Sequence, residues 1–141
     1  MRTFFVIFLA AFPTLLVALG SSILIVQAVV RFVDPKVFSW EGAEGFLPLG
    51  AAQWGGIVGW ISAYLSASPA ASRRSLPRAA LLGFCVGAAL SFPLGLSVIA
   101  SGSPKAPEGM WIWSAVTIIV SGSLAGMVGG LVIHFEKSRG P

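Results

Sequence analysis

Very few residues of this sequence could do chemistry. It has one histidine, His134, and one cysteine, Cys85. A structural zinc site takes four ligands and a catalytic one three, so a single His and a single Cys supply too few. His134 could act as an axial ligand to a haem or chlorophyll. Its neighbours Glu136 and Lys137 favour an ordinary interfacial histidine. Cys85 reads as a small packing residue. Serines are plentiful, but none pairs with a histidine and a carboxylate at a plausible depth, and no glycine-rich phosphate loop follows a strand. The expectation is a protein without catalytic activity.

The other candidates could bind rather than react. Gln27 and Gln53 could hydrogen-bond a ligand or bridge helices. Trp54 and Trp60, six residues apart, fall on different faces of one helix. Either could touch a pigment, a quinone or a lipid tail, and packing beside a glycine groove is the simpler reading. Any cofactor site is thus unassigned, with His134, Trp54, Trp60 and Gln53 as its candidates. The sequence itself requires no cofactor and leaves lipid or pigment contact open.

These residues are carried by an unusually apolar chain. It has 141 residues, 9 Lys+Arg, 5 Asp+Glu, 56% hydrophobic residues and a mean hydropathy of +0.90. Charged residues make up 10%, against about 25% in soluble domains. Disorder is excluded by the high hydrophobicity, and a disulfide scaffold by the lone cysteine. What remains is an integral membrane protein.

The charges mark out four uncharged stretches: 28 residues between Arg2 and Arg31, 28 between Glu44 and Arg73, 26 between Arg78 and Lys105, and 27 between Glu108 and Glu136. Each exceeds the ~20 residues that cross a bilayer as a helix. Lipid offers no partner for a free backbone N–H or C=O, so the segments must be helical. We expect an all-α, single-domain protein over residues 1–141, an up-down bundle of four transmembrane helices at about 4–33, 46–66, 79–100 and 110–135. Pro13 and Pro93 should kink the first and third. The first apolar run continues to Val33, too long for the core of a signal peptide, so it reads as a retained span.

Basic residues orient the bundle. With both termini inside, six of the nine (Arg2, Arg73, Arg74, Arg78, Lys137, Arg139) are cytoplasmic and three (Arg31, Lys36, Lys105) are outside. The positive-inside rule then gives N-in, C-in. Aromatic residues gather near the expected ends, with Trp111 and Trp113 opening the fourth span and Phe38 and Trp40 in a first outer loop, Asp34–Gly45, that reads as interfacial. Composition suggests a bacterial inner membrane.

Three helices carry rows of small residues at i+4 spacing: Gly55 and Gly59; Gly83, Gly87, Ser91 and Gly95; and Gly122, Gly126 and Gly130, beside a parallel row Ser121, Ala125, Gly129. Small residues on one face let backbones approach closely, which is how helices associate in lipid. Rows on three helices exceed the evident needs of one bundle and lean toward assembly with other chains. The favoured function is a small non-catalytic accessory subunit that packs into and stabilises a larger membrane complex, energy-transducing or transport, with other integral membrane subunits and lipids as partners and no nucleic acid. The alternative is a homo-oligomeric channel or carrier with a pathway lined by Gln27, Gln53, Ser91, Ser97, Ser121 and Ser123.

Overall fold

The computed structural model describes residues 2–33, 43–66, 75–101 and 109–138. Among these every regular element is an α-helix: α1 (Arg2–Leu9), α2 (Ala11–Phe32), α3 (Ala43–Ser66), α4 (Leu76–Ser101) and α5 (Met110–Ser138). The expected outer loop from Asp34, the basic cluster Arg73–Arg74, Lys36, Lys105 and the tail at Arg139 lie largely or wholly outside the described residues. Those positions carry much of the orientation argument.

Three helical segments are long and apolar enough to cross a membrane: Phe5–Phe32, Leu76–Ala100 and Met110–Glu136. The chain is thus a helical membrane protein with three such helices among the described residues, where composition had suggested four equivalent ones. The exception is α3. Its 24 residues give it ample length, but Gln53, Trp54, Trp60, Tyr64 and its glycines dilute its apolarity.

The first span is made of two helical pieces that meet at Ala10, which keeps a helical conformation. Ala10 forms a turn between α1 and α2, three residues before Pro13. Proline has no N–H to give the carbonyl four residues back, and its ring crowds that carbonyl, so the helical pattern is interrupted just before it. The Thr14 hydroxyl bonds back to this turn, 2.9 Å from both Ala10 O and Ala11 O. Two later prolines, Pro77 and Pro93, are absorbed within α4. Pro77 sits in the first turn of α4, where an N–H would be unused, and α4 remains one helix through Pro93. That helix begins at Leu76, where Ser75 O accepts the Ala79 N–H at 3.0 Å. At the start of α5, Gly109 takes a φ of +82°, a left-handed conformation open to glycine. Its carbonyl receives the Trp113 N–H at 3.0 Å.

The hub is α5. It touches every other helix, and more than half of its apolar span is buried. α4 packs mainly against α5, while α3 packs on α2 and α5 and only lightly on α4. Two apolar clusters lie at the two ends of α5. At one end Val26 and Val29 meet Met110, with Trp111, Trp113 and Leu47 packed around them. At the other Ile7 and Ala10 meet Ala63 and Ile133. Trp111 and Trp113, read as interfacial anchors, are therefore also half-buried packing residues.

Candidate functional site

Between the two clusters the interior consists of small residues in backbone contact. Along α4 and α5 the pairing is Gly83 with Gly126, Gly87 with Gly122 and Ser123, Ser91 with Gly122, and Gly95 with Ile119 and Ala115. One number rises as the other falls, so these helices run antiparallel. A Cβ built on Gly126 would stand 2.8 Å from Gly87 Cα, and one on Gly87 would stand 2.9 Å from Ser123 Cα. Neither is an ordinary carbon contact, which lies near 3.5–4.0 Å. The parallel row on α5 serves a different neighbour. Ala125 lies against Gly55 and Gly129 against Gly59, both on α3. On its other flank α3 receives α2, with Gly55 on Ala18, Gly59 on Thr14 and Gly56 on Leu15. Gly130 is buried as well.

These contacts correct one expectation. Rows on three helices suggested spare faces for other chains. Instead, one row on α5 meets α4, the second meets α3, and α3 spends its own glycines on α2 and α5. Most of the small-residue surface is consumed within the chain, because a central helix must offer a close-approach face to each neighbour. The glycines with open space are elsewhere: a Cβ on Gly20 or Gly50 would meet nothing within 4 Å.

The polar interior is equally closed. Thr14, Ser22, Ser62, Ser91, Ser114, Thr117, Ser121 and Ser123 are all buried. Most donate to their own helix, as Ser114 does to Met110 O (2.7 Å), Thr117 to Trp113 O (2.7 Å), Ser123 to Ile119 O (2.7 Å), Ser121 to Ile118 O (3.2 Å) and Ser22 to Leu19 O (2.8 Å). Such back-bonding satisfies a hydroxyl where no water can. Two bonds among the described residues tie neighbouring helices together. Trp54 Nε1 donates to Ser91 Oγ at 2.9 Å, tying α3 to α4 beside Gly122. Ser62 Oγ donates to Gly126 O at 2.7 Å, tying α3 to the carbonyl that also faces Gly83. Among the described residues no buried side-chain nitrogen or oxygen lacks a partner.

The candidates from the sequence therefore separate. Trp54 is half-buried and bonded inward. Trp60 faces out, 44% exposed, with its ring edge-on to Phe8 at 6.5 Å. His134 is half-buried next to Ile133 of the second cluster, its ring 5.9 Å from that of Phe135. Gln27, Gln53 and Cys85 are exposed on α2, α3 and α4. The residues suggested for a polar pathway do not share one surface. Ser91, Ser121 and Ser123 are enclosed, whereas Gln27, Gln53 and Ser97 are exposed, Ser97 donating to Pro93 O at 2.9 Å. Several buried polar residues went unmarked in the sequence, among them Thr14, Ser62, Ser114 and Thr117. Ser62 could have been found, since it lies seven and three residues beyond Gly55 and Gly59, on the same face.

Comparison with known protein families, with curated proteins and with solved structures finds no match to this chain.

Proposed function

We propose that this chain is a small, non-catalytic integral membrane subunit that packs into a larger membrane complex. In this reading α3 is a fourth crossing, the helices alternate up and down, and both termini lie on the cytoplasmic side of a bacterial inner membrane. An energy-transducing or transport assembly would be the host, with lipids as further contacts.

The observation that carries the reading is the outer face of α3. Its 24 residues reach about 36 Å at ~1.5 Å per residue, enough to cross. Its inward side is Ala51, Ala52, Gly55, Val58, Gly59, Ser62 and Ala63, all buried. Its outward side carries Gln53, Trp60 and Tyr64. A polar group left in hydrocarbon without a partner costs several kcal/mol, so a crossing α3 calls for cover from protein rather than from acyl chains. The alternation is supported by contact order: α2 runs opposite to α3, α3 runs with α5, and α4 runs opposite to α5. The channel alternative has less behind it, since half of its polar set is sealed inside the bundle.

Solubilisation of native membranes in mild detergent, followed by native electrophoresis and mass spectrometry, tests the proposal. Other membrane-spanning chains should accompany this one in fixed ratio. Recovery without any of them would overturn it.

A further inference from the structure

We infer that α3 crosses the bilayer only while docked on α2 and α5, and that this docking decides on which side of the membrane the N-terminus lies. The inference rests on the membrane reading above. It concerns the chain alone and does not depend on a host complex.

α2, α4 and α5 are each apolar enough to insert on their own, and α3, alone of the four long helices described, is not. Yet the packing leaves no other helix for a return crossing. Val26 and Val29, late in α2, lie with Met110 at the start of α5. Ile7 and Ala10, ahead of α2, lie with Ile133 near the end of α5. α2 thus runs opposite to α5, as α4 does, so α2 and α4 run the same way. For both to span, the chain must come back across the bilayer between them, and α3 is the described helix that lies there.

What holds α3 in place comes from its neighbours. Gly55 lies on Ala18, and Gly59 meets Thr14 on one side and Gly129 on the other. Trp54 Nε1 donates to Ser91 Oγ, and Ser62 Oγ to Gly126 O. An indole N–H can only donate, and the carbonyls around it are taken by the helix. Away from Ser91 it would be stranded in hydrocarbon, at a cost that α3 has too little apolar surface to offset. Gly50, Gly55, Gly56 and Gly59 weaken the isolated helix further, and only close contact with other helices compensates.

Charge sets the alternative. With α3 left on the cytoplasmic side, three crossings put the termini on opposite sides. An N-terminus outside then leaves seven of the nine basic residues cytoplasmic, all but Arg2 and Lys105, against six in the four-crossing arrangement. The positive-inside rule prefers the form with α3 out of the bilayer, and packing favours the form with α3 in it. α4 and α5 keep their direction in both forms, while α2 inverts. α3 is therefore a topological switch, set by contact against charge.

The test uses the full-length chain in a bacterial inner membrane, with Cys85→Ser as background and a single cysteine placed by Thr3→Cys or by Ser138→Cys. A membrane-impermeant maleimide is added to spheroplasts before or after lysis. In the otherwise unaltered chain both positions should react only after lysis. Gly129→Leu wedges α5 from α3 without altering α3 itself. It should raise the share of chains labelled at position 3 from outside about tenfold, about 1.4 kcal/mol, within the usual cost of overpacking, while position 138 stays inside. Gln53→Leu, added to that variant, makes α3 more apolar and should return position 3 to the inside. Gly20→Leu, at a site with open space, should change nothing. Protection of position 3 in Gly129→Leu overturns the inference. So does its exposure in Gly20→Leu, or a failure of Gln53→Leu to reverse it. Exposure of position 138 in place of position 3 overturns it too, because charge would not then decide the alternative. Labelling of position 3 from outside in the unaltered chain removes the fourth crossing, and this inference with it. Co-purification with other membrane chains judges the subunit reading separately.

Discussion

Alanine at Gly87 and alanine at Gly20 should change stability in opposite directions. In a free helix either substitution gains about 1 kcal/mol, because glycine is the more costly residue to order. At Gly20 nothing lies within 4 Å of the new carbon, so the gain should survive as about 0.4–1 kcal/mol. At Gly87 the new carbon meets Gly122 O and stands 2.9 Å from Ser123 Cα. Both are backbone atoms, so no side chain can rotate away. Relief of the Ser123 contact alone to a normal distance near 3.5 Å requires α4 and α5 to part by roughly 0.6 Å, and the closer Gly122 O demands more. The same seam holds Gly83, Ser91 and Gly95, and a gap of that size forfeits a quarter or more of each contact it opens. Overpacking of this kind costs about 1–3 kcal/mol. After the gain in helix propensity, Gly87→Ala should be destabilising by up to about 2 kcal/mol, and Gly126→Ala should behave alike. Reversible unfolding in mixed micelles, titrating a denaturing detergent against a mild one, reads all three variants in one assay. A Gly87→Ala protein as stable as Gly20→Ala would refute the claim that the α4–α5 seam is made of backbone contact. Membrane insertion should be unchanged in each case, since it follows overall apolarity.

Further measurements address other parts of the structure. Ser91→Ala leaves the Trp54 N–H without its acceptor and should cost about 1–3 kcal/mol; a double-mutant cycle with Trp54→Phe should return a coupling of about 0.5–1.5 kcal/mol, and zero coupling would deny the α3–α4 tie. Ser62→Ala removes the 2.7 Å bond to Gly126 O and should lower stability by about 1 kcal/mol in the same titration. A nitroxide on native Cys85, exposed on the outside of α4, should collide with lipid-dissolved oxygen far more than with an aqueous nickel chelate. The reverse ranking would remove that face from the bilayer.

The sequence alone was enough to establish a helical membrane protein. Uncharged runs of 26 to 28 residues admit no other backbone in lipid, so the helices were legible before any contact was known, their ends shifting by a few residues where caps and prolines act. The i+4 rows were legible for the same reason, since spacing along one helix fixes which residues share its face. Which face meets which neighbour depends on the rotation and order of whole helices, and no local pattern encodes that. Only the tertiary structure turned the rows on α5 toward α4 and α3, enclosed Ser91, Ser121 and Ser123, and left Gln53 outside. It also divided Trp54 from Trp60, one bonded to a serine across the bundle and the other facing outward. The interior is thus decided by how closely backbones can approach once every helix has chosen its neighbours. That choice is a property of the packed chain rather than of any single segment.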